Sequence, residues 1–113
     1  MIASGETSGN ELVGVLAQAN LVEYQAGAVV SRVLIKKPSG TVTAFAFDAG
    51  EELSEHTSPF DALAMMVEGE AEIQISGTGH GLEAGDLLRL PAHQPHAVKA
   101  VKKCKMILVM LRD

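Results

Sequence analysis

Past residue 28 the hydrophobic positions recur with the period of two that marks extended chain. Residues 29–35 form a β-branched run. Residues 41–47 alternate, with Thr41, Thr43, Phe45 and Phe47 on one side, and residues 70–76 alternate, with Ala71, Ile73 and Ile75 facing inward. Residues 63–67, 86–90, 97–101 and 105–111 complete the series. Turn clusters punctuate it at Lys37-Pro38-Ser39-Gly40, Asp48-Ala49-Gly50, Glu68-Gly69-Glu70 and Gly77-Thr78-Gly79. Short strands at this spacing predict an all-β sandwich or barrel. Only the start reads differently. Ser8-Gly9-Asn10-Glu11 has the form of a capping box, Leu12, Val15, Leu16 and Ala19 follow at helical spacing, and Asn20 is a stop, so the pattern predicts a short N-terminal helix. The expected organisation is a helical or extended segment over residues 1–27 and a barrel over residues 28–113.

Two strands, 63–67 and 106–111, are apolar on both faces. A barrel strand with one face in water should alternate, so these need cover outside the barrel as well as a core inside it. The helix would supply part of that cover. A second copy of the chain would supply the rest, which predicts a homodimer with residues 29–35 near its interface.

At 113 residues the chain has room for one core, and 47% apolar with 20% charged residues is globular composition. The longest uncharged stretch, residues 12–22, is too short to span a membrane. The start, polar and acidic, shows no basic stretch leading into an apolar one, and the expected compartment is the cytoplasm. A net charge of −5 argues against nucleic acid as a partner. The charge is uneven: between residues 38 and 98 Arg89 is the only base. Cys104 is alone and forms no intramolecular disulfide; ahead of an apolar strand it reads as a small packed residue.

The chemistry-bearing residues are few. There is no nucleophile elbow, phosphate loop, CxxC pair or helical HxxxH. No nucleotide or organic cofactor is indicated. His80 lies in the glycine-rich stretch Gly77-Thr78-Gly79-His80-Gly81 and reads as a solvated turn residue. His56 follows an acidic stretch; His93 and His96 lie in Leu90-Pro91-Ala92-His93-Gln94-Pro95-His96. Imidazoles from different strands can converge inside a barrel on a metal ion, but spacing alone does not say that these do.

Two segments together resemble a known family. Gly50-x5-His56-x-Ser58-x3-Ala62-x6-Gly69 is similar to the first cupin motif, Gly-x5-His-x-His-x3-Glu-x6-Gly. Gly85-x5-Pro91-x-His93-x2-His96-x3-Ala100 is similar to the second, Gly-x5-Pro-x-Gly-x2-His-x3-Asn. The resemblance implies a jelly-roll double-stranded β-helix, the RmlC-like barrel, in a small single-domain protein of a kind that commonly dimerises. Metal-binding cupins use three His and one Glu. Here only His56 and His96 carry over; Ser58 and Ala62 stand where the other two ligands would be, His93 replaces the second motif's Gly and Ala100 its Asn. A third ligand to a divalent transition metal (Fe, Mn, Ni or Zn), weakly held, would have to be Asp61 or His93. Asp61 falls on the opposite strand face from Ala62 unless Pro59 introduces a bulge. The alternative is a buried, hydrogen-bonded histidine pair in a metal-free pocket.

Strand parity extends the expected pocket. Ser58, Ala62, Ala64 and Met66 would point inward with His56, and Val98 with His96. Met106, Leu108 and Met110 would form the floor, and Phe45 and Phe47 the walls. Three functions are compatible with this much: a metal-dependent enzyme such as a dioxygenase or isomerase of a small organic substrate; a metal-free module or sensor binding a small ligand; and an interaction dimer with a vestigial pocket.

Overall fold

The structure, a computed structural model, describes residues 2–6 as backbone and residues 14–113 with their side chains. Among the described residues ten strands run in chain order: β1 (Ile2–Glu6), β2 (Val29–Lys37), β3 (Gly40–Phe47), β4 (Glu52–His56), β5 (Asp61–Glu68), β6 (Glu70–Ile75), β7 (Thr78–Glu83), β8 (Leu87–Leu90), β9 (His96–Ala100) and β10 (Cys104–Leu111). They form two sheets. The larger has the order β1-β2-β3-β10-β5-β8 and the smaller β4-β9-β6-β7. All pairings are antiparallel except that of β1 with β2. The chain changes sheet between β3 and β4, β4 and β5, β5 and β6, β7 and β8, β8 and β9, and β9 and β10, so that each sheet draws strands from distant stretches of sequence.

The alternation read from the sequence sets which side chains meet between the sheets. Val29, Phe47, Met66, Ala71, Ile73, Leu82, Val98, Ala100, Cys104 and Met106 are buried in one inner cluster. A second cluster lies on the outside of the larger sheet, where Ala44, Ala46 and Ile107 are buried beneath Leu21 and Val22. Strand β5 and the first half of β10 are therefore covered on both faces, which is why they do not alternate with polar residues.

The covering segment is not the expected helix. Of the residues that suggested one, Ser8-Gly9-Asn10-Glu11 and Leu12 lie outside the described residues. From Gly14 onward the chain holds a single 3₁₀ turn, Gln18–Asn20. Gly14 has φ +108°, Val15 is fully exposed and Leu16 half so. Helical spacing without a buried apolar face gives a short segment nothing to offset its nucleation cost. Instead the segment is an extended strap. The Lys105 ammonium donates to the Ala19 carbonyl at 2.6 Å and Arg32 to the Leu21 carbonyl at 2.9 Å. The Tyr24 hydroxyl donates to Glu68 at 2.7 Å. Burial and the Glu68 carboxylate both raise the Tyr24 phenol above its ordinary range.

Three strands, β1, β4 and β7, are additions to the sequence reading. β4 was hidden because Glu51, Glu52 and Glu55 obscure its one apolar residue, Leu53. β7 was hidden by Gly79 and Gly81. The turn there is shorter than expected: only Ser76 (φ +49°) and Gly77 (φ +83°) lie between the paired Ile75 and Thr78. That is a two-residue loop with both positions left-handed, as a tight hairpin requires. His80 accordingly sits in a strand opposite Ile73, half-buried, and not in a solvated turn.

Candidate functional site

His56 ends β4 and His96 begins β9, and the two are cross-strand partners. A bulge makes this possible. Leu53 pairs with Val98 and His56 with His96, so Ser54 and Glu55 together oppose the single residue Ala97. Without the extra residue, strict alternation from Leu53 would turn Glu55 inward and His56 out. With it, Leu53 and His56 share the inner face. The rings meet edge to face, centroids 4.3 Å apart at 66°. His96 is buried, at 8% exposure, whereas His56 is exposed at the mouth.

Both rings are held the same way. Nδ1 of His56 donates to the carbonyl of Ser54 at 2.9 Å, and Nδ1 of His96 to that of Gln94 at 3.4 Å. A carbonyl oxygen only accepts, so Nδ1 is the donor in each contact, and the tautomer this selects has Nε2 as its acceptor. Burial lowers the affinity of His96 for a proton below that of an ordinary histidine. The neighbouring His56 lowers it further, against a smaller opposing effect from the Gln94 carbonyl.

The rings close one end of a cavity of about 170 Å³. Ala62, Ala64 and Leu90 line it from the larger sheet, with Phe45 of β3 and Met106, Leu108 and Met110 of β10. Leu53, Ile73 and Val98 line it from the smaller. The space exists because Ala62 and Ala64 are small. A second recess, on the outer face of the smaller sheet, is lined by Glu52, Glu55, Glu72 and Lys99 among others and contains neither histidine.

Other expected pocket residues lie elsewhere. Phe47 and Met66 point inward as parity requires and are buried in the inner cluster, but they are not among the residues that line the cavity. Ser58 is in the loop between β4 and β5, where alternation does not apply. Its carbonyl accepts from the His93 amide at 2.8 Å and its hydroxyl from the Phe60 amide at 3.3 Å. Leu53, Ile73 and Leu90 are lining residues that the sequence reading left out. For Leu53 the signal was a lone apolar residue within an acidic stretch.

Neither candidate third ligand reaches the cavity. Pro59 introduces no bulge that turns Asp61 inward: its carboxylate accepts from the Ala92 amide at 3.0 Å and pairs with Arg89 at 3.5 Å. His93 is exposed, at φ +67° in the loop before β9, with its amide spent on Ser58. The family motif has Gly at that position, and the left-handed backbone there shows why. Among the described residues no group of three or more His, Cys, Asp or Glu is placed to hold a metal ion. Ala62, at the position of the family's Glu, contributes only a methyl group to the cavity wall. Two imidazoles are half of a four-ligand set, and these residues do not fit a firmly held resident ion.

Cys104 is fully buried, and burial pushes its thiol up to about 11. It is a packed core residue, not a nucleophile. No helix among the described residues is long and apolar enough to cross a membrane.

Comparison with known proteins agrees with this architecture. The family model of the cupin domain matches residues 44–111. A conserved protein of unknown function from Streptococcus pyogenes superposes with a TM-score of 0.86 at 32% identity, over 89% of this chain and 89% of that one. A cupin superfamily protein from Desulfitobacterium hafniense gives 0.83 at 32% identity, over 87% and 90%. A cupin 2 conserved barrel domain protein from Leptotrichia buccalis gives 0.81 at 37% identity, over 83% of this chain and 46% of that one. No curated protein matches the chain.

Proposed function

The chain belongs to the cupin family, and from that premise we propose that its barrel binds a small, largely apolar organic molecule, oriented at one end by His56 and His96, without a resident metal. The observation that carries this reading is the cavity of about 170 Å³ with apolar walls that ends at two imidazoles. Its volume compares with that of an engineered cavity of about 150 Å³ that takes up benzene, so a single ring with one short substituent is the size class. Apolar burial supplies the affinity, and the few polar groups set the orientation. Met106 and Met110 give walls that can adjust to the shape of the ligand.

Filling the cavity tests this. Ala64→Leu replaces a fully buried methyl on the cavity wall with a side chain that occupies the ligand's space. It is expected to weaken binding of monocyclic probes, followed by ligand-observed NMR, by roughly ten-fold or more, while changing stability by no more than about 1 kcal/mol. Unchanged binding in a folded Ala64→Leu variant would place the ligand elsewhere.

The metal-dependent reading, in which an Fe, Mn, Ni or Zn ion takes part in a reaction on the bound molecule, has two imidazoles as its only strong donors here. Metal analysis after dialysis against a chelator is expected to return well under one ion per chain. Retention of a full equivalent, lost in His56→Ala and His96→Ala, would overturn the metal-free reading.

A further inference from the structure

Resting on the pocket reading above, we infer that the cavity selects molecules whose polar head is a hydrogen-bond donor without negative charge, such as a hydroxyl on a compact apolar body, and turns carboxylates away. The donor and acceptor inventory of the site carries this. With each Nδ1 donating to a backbone carbonyl, what the two rings have left to offer a ligand is a pair of acceptors. A hydroxyl satisfies such an acceptor; a carboxylate, itself acceptor-only, faces lone pairs.

The surrounding charge points the same way. None of the residues lining the cavity is Lys or Arg. Between residues 38 and 98 the single base is Arg89, and it is outside, paired with Asp61 at 3.5 Å. Lys99 lies on β9 beside Glu52 and Glu72, its partners across the neighbouring strands, on the outer face of the smaller sheet. An anion entering here would shed water with no cation to receive it.

Three probes of nearly one shape separate the possibilities: benzyl alcohol, toluene and benzoate, titrated against the whole protein near neutral pH. Benzyl alcohol is expected to bind about five-fold tighter than toluene, the gain of one net hydrogen bond. Benzoate is expected to bind roughly ten-fold weaker than the alcohol, or worse. In His56→Phe and His96→Phe, which keep a ring but remove the acceptor, the preference for the alcohol over toluene is expected to fall towards one. Should either variant fail to fold, the three-probe series on the parent decides alone. Benzoate binding as tightly as the alcohol, or toluene matching it, would overturn the inference while leaving the pocket reading intact. Failure of all three probes to bind would remove both.

Discussion

His96 shows how a single side chain ties the site to stability. Its environment disfavours the protonated ring, so the folded chain takes up a proton less readily than the unfolded one near the ordinary value of 6.5. The unfolded state then binds more protons as pH falls. Stability contributed by the neutral ring is fully present above that value and is lost as pH falls through it towards the lower folded value. The urea midpoint of the parent is therefore expected to drop between about pH 8 and about pH 5.5, and that of His96→Gln to drop less. Equal slopes for the two proteins would show that the ring does not carry the effect. The identity of this residue was legible from its motif spacing. Its burial was legible only as a parity argument. The partner that holds its tautomer, the Gln94 carbonyl, was not legible, because local loop geometry supplies it.

At the scale of elements, the strands followed from alternation and the crossovers from glycine. Gly69 joins β5 of the larger sheet to β6 of the smaller at φ +81°, and a methyl added there would collide with the Lys103 carbonyl and the backbone of Cys104. Gly50 shares the conformation, at φ +82°, but has open space around it. Gly69→Ala is expected to cost roughly 2–4 kcal/mol, because strain and overlap add, and Gly50→Ala only about 1 kcal/mol from the backbone alone. Chemical denaturation of the two variants checks this; equal losses would mean that the close approach at residue 69 relaxes freely. The same scale explains why β4 and β7 were missed and why residues 14–20 form no α-helix. In β4 and β7, charged residues and glycines outnumber the apolar positions that announce a strand, and cross-strand pairing forms them regardless. In residues 14–20, helical spacing had no face to bury.

At the scale of the whole molecule, the outer face of the larger sheet is only partly covered. The strap buries Ala44, Ala46 and Ile107, but Leu34, Val42 and Val109 on the same face are only half-buried, and Ile35 and Leu111 near its far end are more than half exposed. We expect a second copy of the chain to cover this end, across β2, β3 and β10, because doubly apolar strands left against water are costly. Light scattering at micromolar concentration is expected to give twice the chain mass of 11.9 kDa. Val109→Lys, which sets a charge in the middle of that face, is expected to give the single-chain mass with the fold retained. A monomeric parent would overturn the expectation.

The sequence by itself determined most strand faces and the turn glycines, because a period of two and a left-handed backbone are local properties of the chain; that His56 and His96 could meet was legible only through the resemblance of their two motifs to the cupin pattern. It also set the chemistry that the family's positions carry here: Ser58 and Ala62 offer no strong ligand wherever they lie. Tertiary structure decided the rest. The β4 bulge is a property of pairing with β9, and it turns His56 inward where alternation from Leu53 would have placed Glu55. Asp61 and His93 were open candidates until contacts between distant loops, Ala92 to Asp61 and His93 to Ser58, held both outside the cavity. The cavity itself lies between two sheets whose strands come from both halves of the barrel sequence. Its volume depends on how closely those sheets pack over Ala62 and Ala64, a distance that no local pattern encodes.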